Sequence, residues 1–133
     1  MSYSFEQSIE KTARERQWRR KLSAEDLVGG WNSFIVQCEQ GYPLGIYEFE
    51  NDRYVRTMIH EVLSMADLID DSALTEFSGK ISDLDDKFRS LLQPGVFVGN
   101  DGDFWWNRGI PVRAGSELAS DFNDIYGLVV AVA

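Results

Sequence analysis

The side chains that could do chemistry in this sequence are 22 carboxylates, one histidine and one cysteine. His60 lies in the segment IHEVLS, and a zinc-protease helix needs a second histidine four residues later, where this chain has Ser64. The residues around Cys38 match no nucleophile pattern. Two carboxylates suffice for glycoside hydrolysis, but among so many acidic residues a pair carries no information without geometry.

The segment GNDGDF contains alternating acidic residues, Asp101 and Asp103, as a calcium loop does. No acidic residue closes such a loop at its twelfth position, so we expect weak or no calcium binding. The chain has neither GxxxxGK[ST] nor GxGxxG, the two glycine patterns that hold nucleotide phosphates. We therefore expect a protein that is not an enzyme and needs no metal or cofactor. A hydrolase that uses carboxylates around the FWWN segment is a minor alternative.

The charge of the chain is distributed unevenly. Residues 1–22 carry six basic and three acidic side chains, and residues 23–133 carry seven basic and nineteen acidic ones, which together give the net charge of −9. A body with a net charge of −12 repels nucleic acid and anionic membranes and attracts basic surfaces. The charge pattern therefore favours a basic protein partner, with neither nucleic acid nor membrane as a target.

Three acidic clusters lie in this body. One interpretation is that they cap helices, complement helix dipoles and keep the protein soluble. The other is that they steer association with a basic protein, since complementary charge raises association rates. Both interpretations stay open for these residues: Glu48, Glu50 and Asp52; Asp67, Asp70 and Asp71; Asp83, Asp85 and Asp86.

A run of aromatic residues, Phe104-Trp105-Trp106, precedes Asn107 and Arg108. Trp and Arg dominate the hot spots of protein interfaces. Alternatively, both tryptophans cover the end of the bundle while Arg108 pairs with a helix carboxylate. The residues predicted to contact a partner are Glu48, Glu50, Asp52, Asp67, Asp70, Asp71, Asp101, Asp103, Trp105 and Trp106.

The elements that must position these side chains are helices. Capping patterns predict a basic, peripheral first helix from Phe5 to Lys21 and a second from Ser23 to Gly41. A third begins at Asn51 or Asp52, after an extended stretch at residues 46–49, and carries the apolar stripe Val55, Met58, Ile59, Val62, Leu63 and Ala66.

A fourth helix is capped near Asp70, Asp71 or Ser72, and a short last helix runs from Ser116 to Tyr126 with Leu118, Phe122 and Ile125 inward. Between them, near residues 94–115, we expect one long irregular loop. The predicted fold is all-α: a compact bundle of four to five amphipathic helices in a single domain, residues 1–133. The lone cysteine, the absence of an apolar leader and the lack of a membrane-spanning stretch favour a cytoplasmic location.

Three segments, YEFENDRYVRTMIHEVL, LDDKFRSLL and WWNRGIPVRAGSELASDFNDIYG, give the chain a resemblance to small helical bacterial immunity proteins. These proteins protect cells from polymorphic or contact-dependent growth inhibition toxins. The resemblance covers about residues 47–127. It implies an acidic protein that binds the basic C-terminal nuclease domain of its cognate toxin and blocks the active site, with no catalytic residues of its own. The basic first helix departs from the uniformly acidic inhibitor that the resemblance implies.

A second hypothesis is a helical structural or regulatory module. It would dimerise through the basic first helix and an acidic face of a second copy. The sequence does not decide the oligomeric state.

Overall fold

A computed structural model describes residues 4–66 and 71–133. These residues form six helices and four short strands, and the predicted all-α class is confirmed. The helices are α1 (Phe5–Glu15), α2 (Ala24–Glu39), α3 (Ile46–Met65), α4 (Ser72–Ser90), α5 (Trp105–Arg108) and α6 (Ser116–Tyr126). The strands are β1 (Leu92–Phe97), β2 (Gly109–Pro111), β3 (Arg113–Ala114) and β4 (Ala131–Val132).

Serine capping boxes begin the first two helices, as predicted. Ser4 accepts a hydrogen bond from the backbone N–H of Gln7, and Ser23 accepts one from Asp26. The predicted end of α1 at Lys21 is wrong, because the helix stops at Glu15 and Gln17 adopts a left-handed φ of 56°. The apolar stripe thins out after Ala13, so further turns would bury little and gain little stability from packing.

The start of α3 also differs from the prediction. The helix begins at Ile46, so residues 46–49 are helical and neither Asn51 nor Asp52 is the N-cap. Gly45 offers no side-chain cap, and the carboxylate of Asp121 on α6 accepts the backbone N–H of Ile46 at 2.9 Å. Ile46 and Phe49, three residues apart, are both buried. A tertiary contact therefore adds the first turn to this helix.

Asp71 caps α4, as one of the predicted alternatives, by accepting the backbone N–H of Ala73 at 2.9 Å. The other carboxylate oxygen of Asp71 accepts the backbone N–H of Phe5 at 2.8 Å. One side chain thus ties the start of α4 to the start of α1. Asp67 and Asp70 lie outside the described residues.

The segment near residues 94–115 is more regular than the predicted loop. Strands β1 and β2 pair antiparallel, with Leu92 opposite Pro111 and Phe97 opposite Gly109. Helix α5 lies between them, and β3 pairs in parallel with β4 at the C-terminus. The partners are up to 19 residues apart in the chain, which is why local patterns did not reveal them.

The core is rich in aromatic rings from three helices. Trp31 and Phe34 of α2, Phe49 of α3 and Phe88 of α4 are all at most 2% exposed. Leu118 and Phe122 of α6 are buried as predicted, but the prediction for Ile125 is wrong, since it is 56% exposed. Packing therefore covers the early turns of α6 and leaves its end at the surface. None of the helices in residues 4–66 and 71–133 has the length and apolar character needed to span a membrane.

Candidate partner-binding surface

The start of α3 packs closely against α6, and this contact brings distant carboxylates together. A Cβ atom placed on Gly45 would lie 2.8 Å from a carboxylate oxygen of Glu117 and 3.0 Å from one of Asp121. The buried rings of Phe49 on α3 and Phe122 on α6 pack edge to face, with centroids 5.9 Å apart. The glycine thus lets two acidic side chains of α6 approach the backbone at the start of α3.

Six carboxylates lie in the first two turns of α3 and along α6, the two helices joined by this contact, and we call them the α3–α6 acidic face. Glu117, Asp121 and Asp124 follow at spacings of four and three, which places them on one side of α6. Sequence reasoning missed these three, although the spacing was readable. The α3–α6 acidic face consists of Glu48, Glu50, Asp52, Glu117, Asp121 and Asp124.

Two members of the face have structural partners. Asp121 holds the first turn of α3, and Asp52 accepts the hydroxyl of Tyr42 at 2.6 Å. Burial first, and then the hydrogen bond and charge of Asp52, raise the pKa of Tyr42. Both carboxylates therefore contribute to the fold as well as to the charge of the face.

The charge of this face is not cancelled by ion pairs. Among the residues that the structure describes, no Lys or Arg lies within 4.0 Å of any of the six carboxylates. The charge of Glu50 acts on Arg53, which is 8% exposed and lies over the ring of Phe49. Burial lowers the pKa of Arg53, while the charge of Glu50 opposes that shift. The outward side of the face therefore stays acidic.

Exposed aromatic and aliphatic side chains also lie on α3 and α6. Tyr47 and Tyr54 on α3 are 83% and 52% exposed, and Ile125 and Tyr126 at the end of α6 are 56% and 41% exposed. Tyr is among the residue types that carry most binding energy in protein interfaces. The region therefore offers both steering charge and apolar contact area.

The aromatic segment of α5 packs on the bundle instead of projecting from it. Trp106 is 3% exposed and donates its indole N–H to the hydroxyl of Thr57 at 3.0 Å. The guanidinium of Arg56 lies 4.2 Å from the Trp106 ring, and Phe104 stacks on the same ring with centroids 4.5 Å apart. In this conformation Trp106 cannot reach a partner.

Trp105 is half-buried and remains accessible at one side. The guanidinium of Arg89 lies 3.9 Å from its ring, and Phe88 packs at 6.1 Å. Arg108 pairs with Asp101 of the preceding loop at 3.4 Å and donates to the carbonyl of Val98, so its partner is not a helix carboxylate. Asp103 accepts the backbone N–H of Asn100 at 2.8 Å, so Asp101 and Asp103 both shape their own loop.

The third acidic cluster divides between core and surface. Asp85 is 6% exposed, accepts two hydrogen bonds from Arg56 at 2.9 and 3.0 Å, and accepts the indole N–H of Trp31 at 3.1 Å. Asp83 is exposed, and Asp86 pairs with Arg89 at 3.3 Å. Asp85 lies four residues after Ile81 and three before Phe88, a spacing that places it on the buried seam of α4 and that could have identified it.

His60 packs against aromatic rings, and Cys38 is buried in the core. The His60 ring packs on Phe104 and Trp106 with centroids 4.6 and 5.7 Å apart. Burial raises the pKa of the Cys38 thiol to about 12, which leaves it protonated at neutral pH. Within residues 4–66 and 71–133, no group of three His, Cys, Asp or Glu side chains is arranged to hold a metal ion.

Comparisons with protein-family models, with curated proteins and with solved structures give no match to this chain.

Proposed function

We propose that this chain is an acidic immunity protein that binds a basic cognate toxin domain, of the nuclease class, and blocks its active site. The observation that carries the proposal is the α3–α6 acidic face, six carboxylates without ion-pair partners among the described residues, next to exposed Tyr47 and Tyr126. A nuclease must bind phosphates with Lys and Arg side chains, and carboxylates on an inhibitor can occupy the same cations.

The proposal assigns different roles to the residues of the face. Glu48, Glu50, Glu117 and Asp124 attract the partner, while Tyr47 and Tyr126 supply the contact area that slows dissociation. Asp52 and Asp121 hold the surface in shape through Tyr42 and Ile46. This inhibitor has no catalytic residue, and it acts by excluding nucleic acid from the toxin.

The test is inhibition of the C-terminal domain of the toxin encoded beside this chain's gene, measured by growth protection and by binding kinetics. One variant replaces Glu48, Glu50, Glu117 and Asp124 by the corresponding amides. Since steering acts mainly on association, we expect its association rate to fall at least about tenfold at low salt.

A matched control removes the same number of charges elsewhere, at exposed Glu6, Glu25, Glu76 and Asp83. Its association rate should change less than about threefold, because exposed charges remote from an interface act weakly through a screening solvent. Equal losses in the two variants would contradict the assignment of this face, and no protection by the wild-type chain would overturn the proposed function.

The alternative function, a helical module that pairs with its own copies, is favoured by one observation. Arg19 and Arg20 are exposed, and no described carboxylate lies within 4.0 Å of either. A cationic segment and an acidic face on one chain could join two copies. Light scattering at low and high salt tests this, and a monomer at both salt concentrations excludes it.

A further inference from the structure

A large groove separates the connector after α1 from helices α2 and α3. Its volume is about 980 Å³. Residues 16–22 form one wall, and polar side chains of α2 and α3, Ser33, Gln37 and Asn51, line the other. Small-molecule sites typically enclose about 300–1,000 Å³, so the groove has the size of a ligand site.

The lining of the groove is cationic in an otherwise acidic protein. Four basic residues line it, Arg16, Arg19, Arg20 and Lys21, against two acidic ones, Asp26 and Asp52, which gives 4 − 2 = +2. Within residues 4–66 and 71–133, the ion pairs of Arg16 and Lys21 are long, 3.9 Å to Glu61 and 3.8 Å to Glu10, and both carboxylates lie outside the lining. The cations of this wall therefore have capacity for further anionic partners.

Both carboxylates of the lining are engaged by the fold. Asp26 accepts the backbone N–H of Ser23 at 2.9 Å, and this bond is the largest cause of the lowered pKa of Asp26. Asp52 accepts the hydroxyl of Tyr42. Both carboxylates therefore accept hydrogen bonds from the protein itself. Arg19, by contrast, forms no ion pair within 4.0 Å among the described residues.

Two further features of the connector are characteristic of a ligand site. The indole N–H of Trp18, which lines the groove, is covered from solvent and has no acceptor in the described part of the chain. A covered donor without a partner costs free energy, and an anionic oxygen near the connector could satisfy it. Gln17 next to it holds a left-handed φ of 56°, a conformation that is costly for a residue other than glycine and that concentrates at ligand sites.

Aromatic rings lie on both walls of the groove. Trp18 belongs to the connector, and Tyr54, on α3, is 52% exposed. Aromatic faces bind planar rings by stacking, and arginine forks bind phosphate oxygens in pairs. We propose that this groove binds a phosphorylated small molecule with a planar ring, of the mononucleotide class, through Arg19 and Arg20 on the phosphates and Tyr54 or Trp18 on the ring.

Titration calorimetry with ATP as the probe, and with adenosine for comparison, tests the proposal on the full chain. We expect saturable ATP binding with a dissociation constant below about 1 mM at low salt. We expect at least about tenfold weaker binding of adenosine, because it lacks the phosphates. Binding of ATP should weaken as salt is raised, because salt screens the arginine–phosphate attraction. The salt series needs no variant and keeps the test valid if a variant fails to fold.

The Arg19→Gln/Arg20→Gln variant should bind ATP at least about tenfold more weakly than the wild type. The control, Lys87→Gln/Arg113→Gln, removes two exposed cations outside the groove and should bind like the wild type. No ATP binding, equal losses in both variants, adenosine binding as tight as ATP, or binding of a glutamate-rich peptide without ATP would each overturn the proposal. The α3–α6 acidic face shares Asp52 with the groove lining but contains neither Arg19 nor Arg20, so loss of ATP binding in the Arg19→Gln/Arg20→Gln variant and loss of toxin inhibition are separate outcomes.

Discussion

Arg56 on α3 and Asp85 on α4 form a bidentate ion pair in the core, with nitrogen–oxygen distances of 2.9 and 3.0 Å. Their side chains are 8% and 9% exposed. The same guanidinium lies against the ring of Trp106, and the same carboxylate accepts the indole N–H of Trp31. One buried pair thus connects α2, α3, α4 and α5.

Replacement of Asp85 by Asn should destabilise the protein strongly. The variant keeps the shape of the side chain but leaves the charge of Arg56 buried without compensation, which costs about 3–5 kcal/mol in proteins. Urea unfolding followed by circular dichroism measures the loss. The control Asp83→Asn, exposed on the same helix, should change the free energy of unfolding by less than about 0.5 kcal/mol. A loss of similar size in both variants would contradict the role of the pair.

Replacement of Trp106 by Ala should release the α5 segment from the bundle. It removes a ring that is 3% exposed, its bond to Thr57 and its contact with Arg56, and buried Trp-to-Ala changes cost about 3–5 kcal/mol. Amide hydrogen exchange across β1 and β2 should accelerate more than exchange in α2. Trp105→Ala, at a half-buried ring, should cost less, and a reversal of this order would contradict the packing.

The stability of the protein should fall in acid through Asp26 and Asp71. Backbone hydrogen bonds, from Ser23 to Asp26 and from Phe5 and Ala73 to Asp71, lower the pKa of each carboxyl in the folded state. Their contribution is therefore fully present above the unfolded pKa values, near 4, and is lost as the pH falls through the lower folded values. Denaturant unfolding at a series of pH values measures this loss.

In the Asp26→Asn/Asp71→Asn variant each Asn keeps one acceptor oxygen, so Asp71→Asn loses one of the two bonds to Phe5 and Ala73. The variant should therefore be less stable than the wild type at neutral pH, but its stability should vary less with pH in that window because the titrating groups are gone. A matched control, Glu6→Gln/Asp83→Asn, removes two exposed carboxyls on α1 and α4. Its acid profile should follow the wild type. A profile of the first variant that falls as steeply as the wild type would show that other groups control acid stability.

Cys38 should resist thiol reagents while the protein is folded. Burial raises its pKa to about 12, so at pH 8 the reactive thiolate is scarce and the sulfur is also covered. Labelling by a disulfide reagent should be slow in buffer and fast in urea, with a rate that follows unfolding. Fast stoichiometric labelling in buffer would contradict the buried position.

Only some residues of the α3–α6 acidic face were recognisable in the sequence. Glu48, Glu50 and Asp52 were identified as an acidic cluster, but Glu117, Asp121 and Asp124 join them only because α6 packs on α3. Asp85 belonged to a cluster that was interpreted either as solubilising charge or as steering charge for a partner. The structure buries it, and its charge is paired there with Arg56, which is 29 residues away in the chain. For Trp105 and Trp106 two interpretations were open, contact with a partner or a cover over the end of the bundle. The structure favours the cover for Trp106, which is 3% exposed.

The sequence by itself determined the features that depend on neighbouring residues. Ser4, Ser23 and Asp71 cap helices by bonding to backbone groups two or three residues away, and Gly127 ends α6 in the left-handed conformation with φ 67°. The tertiary structure decided the start of α3 at Ile46, the end of α1 and the partners of Asp85. Those outcomes depend on donors and apolar surface supplied from distant parts of the chain, and no local spacing contains that information.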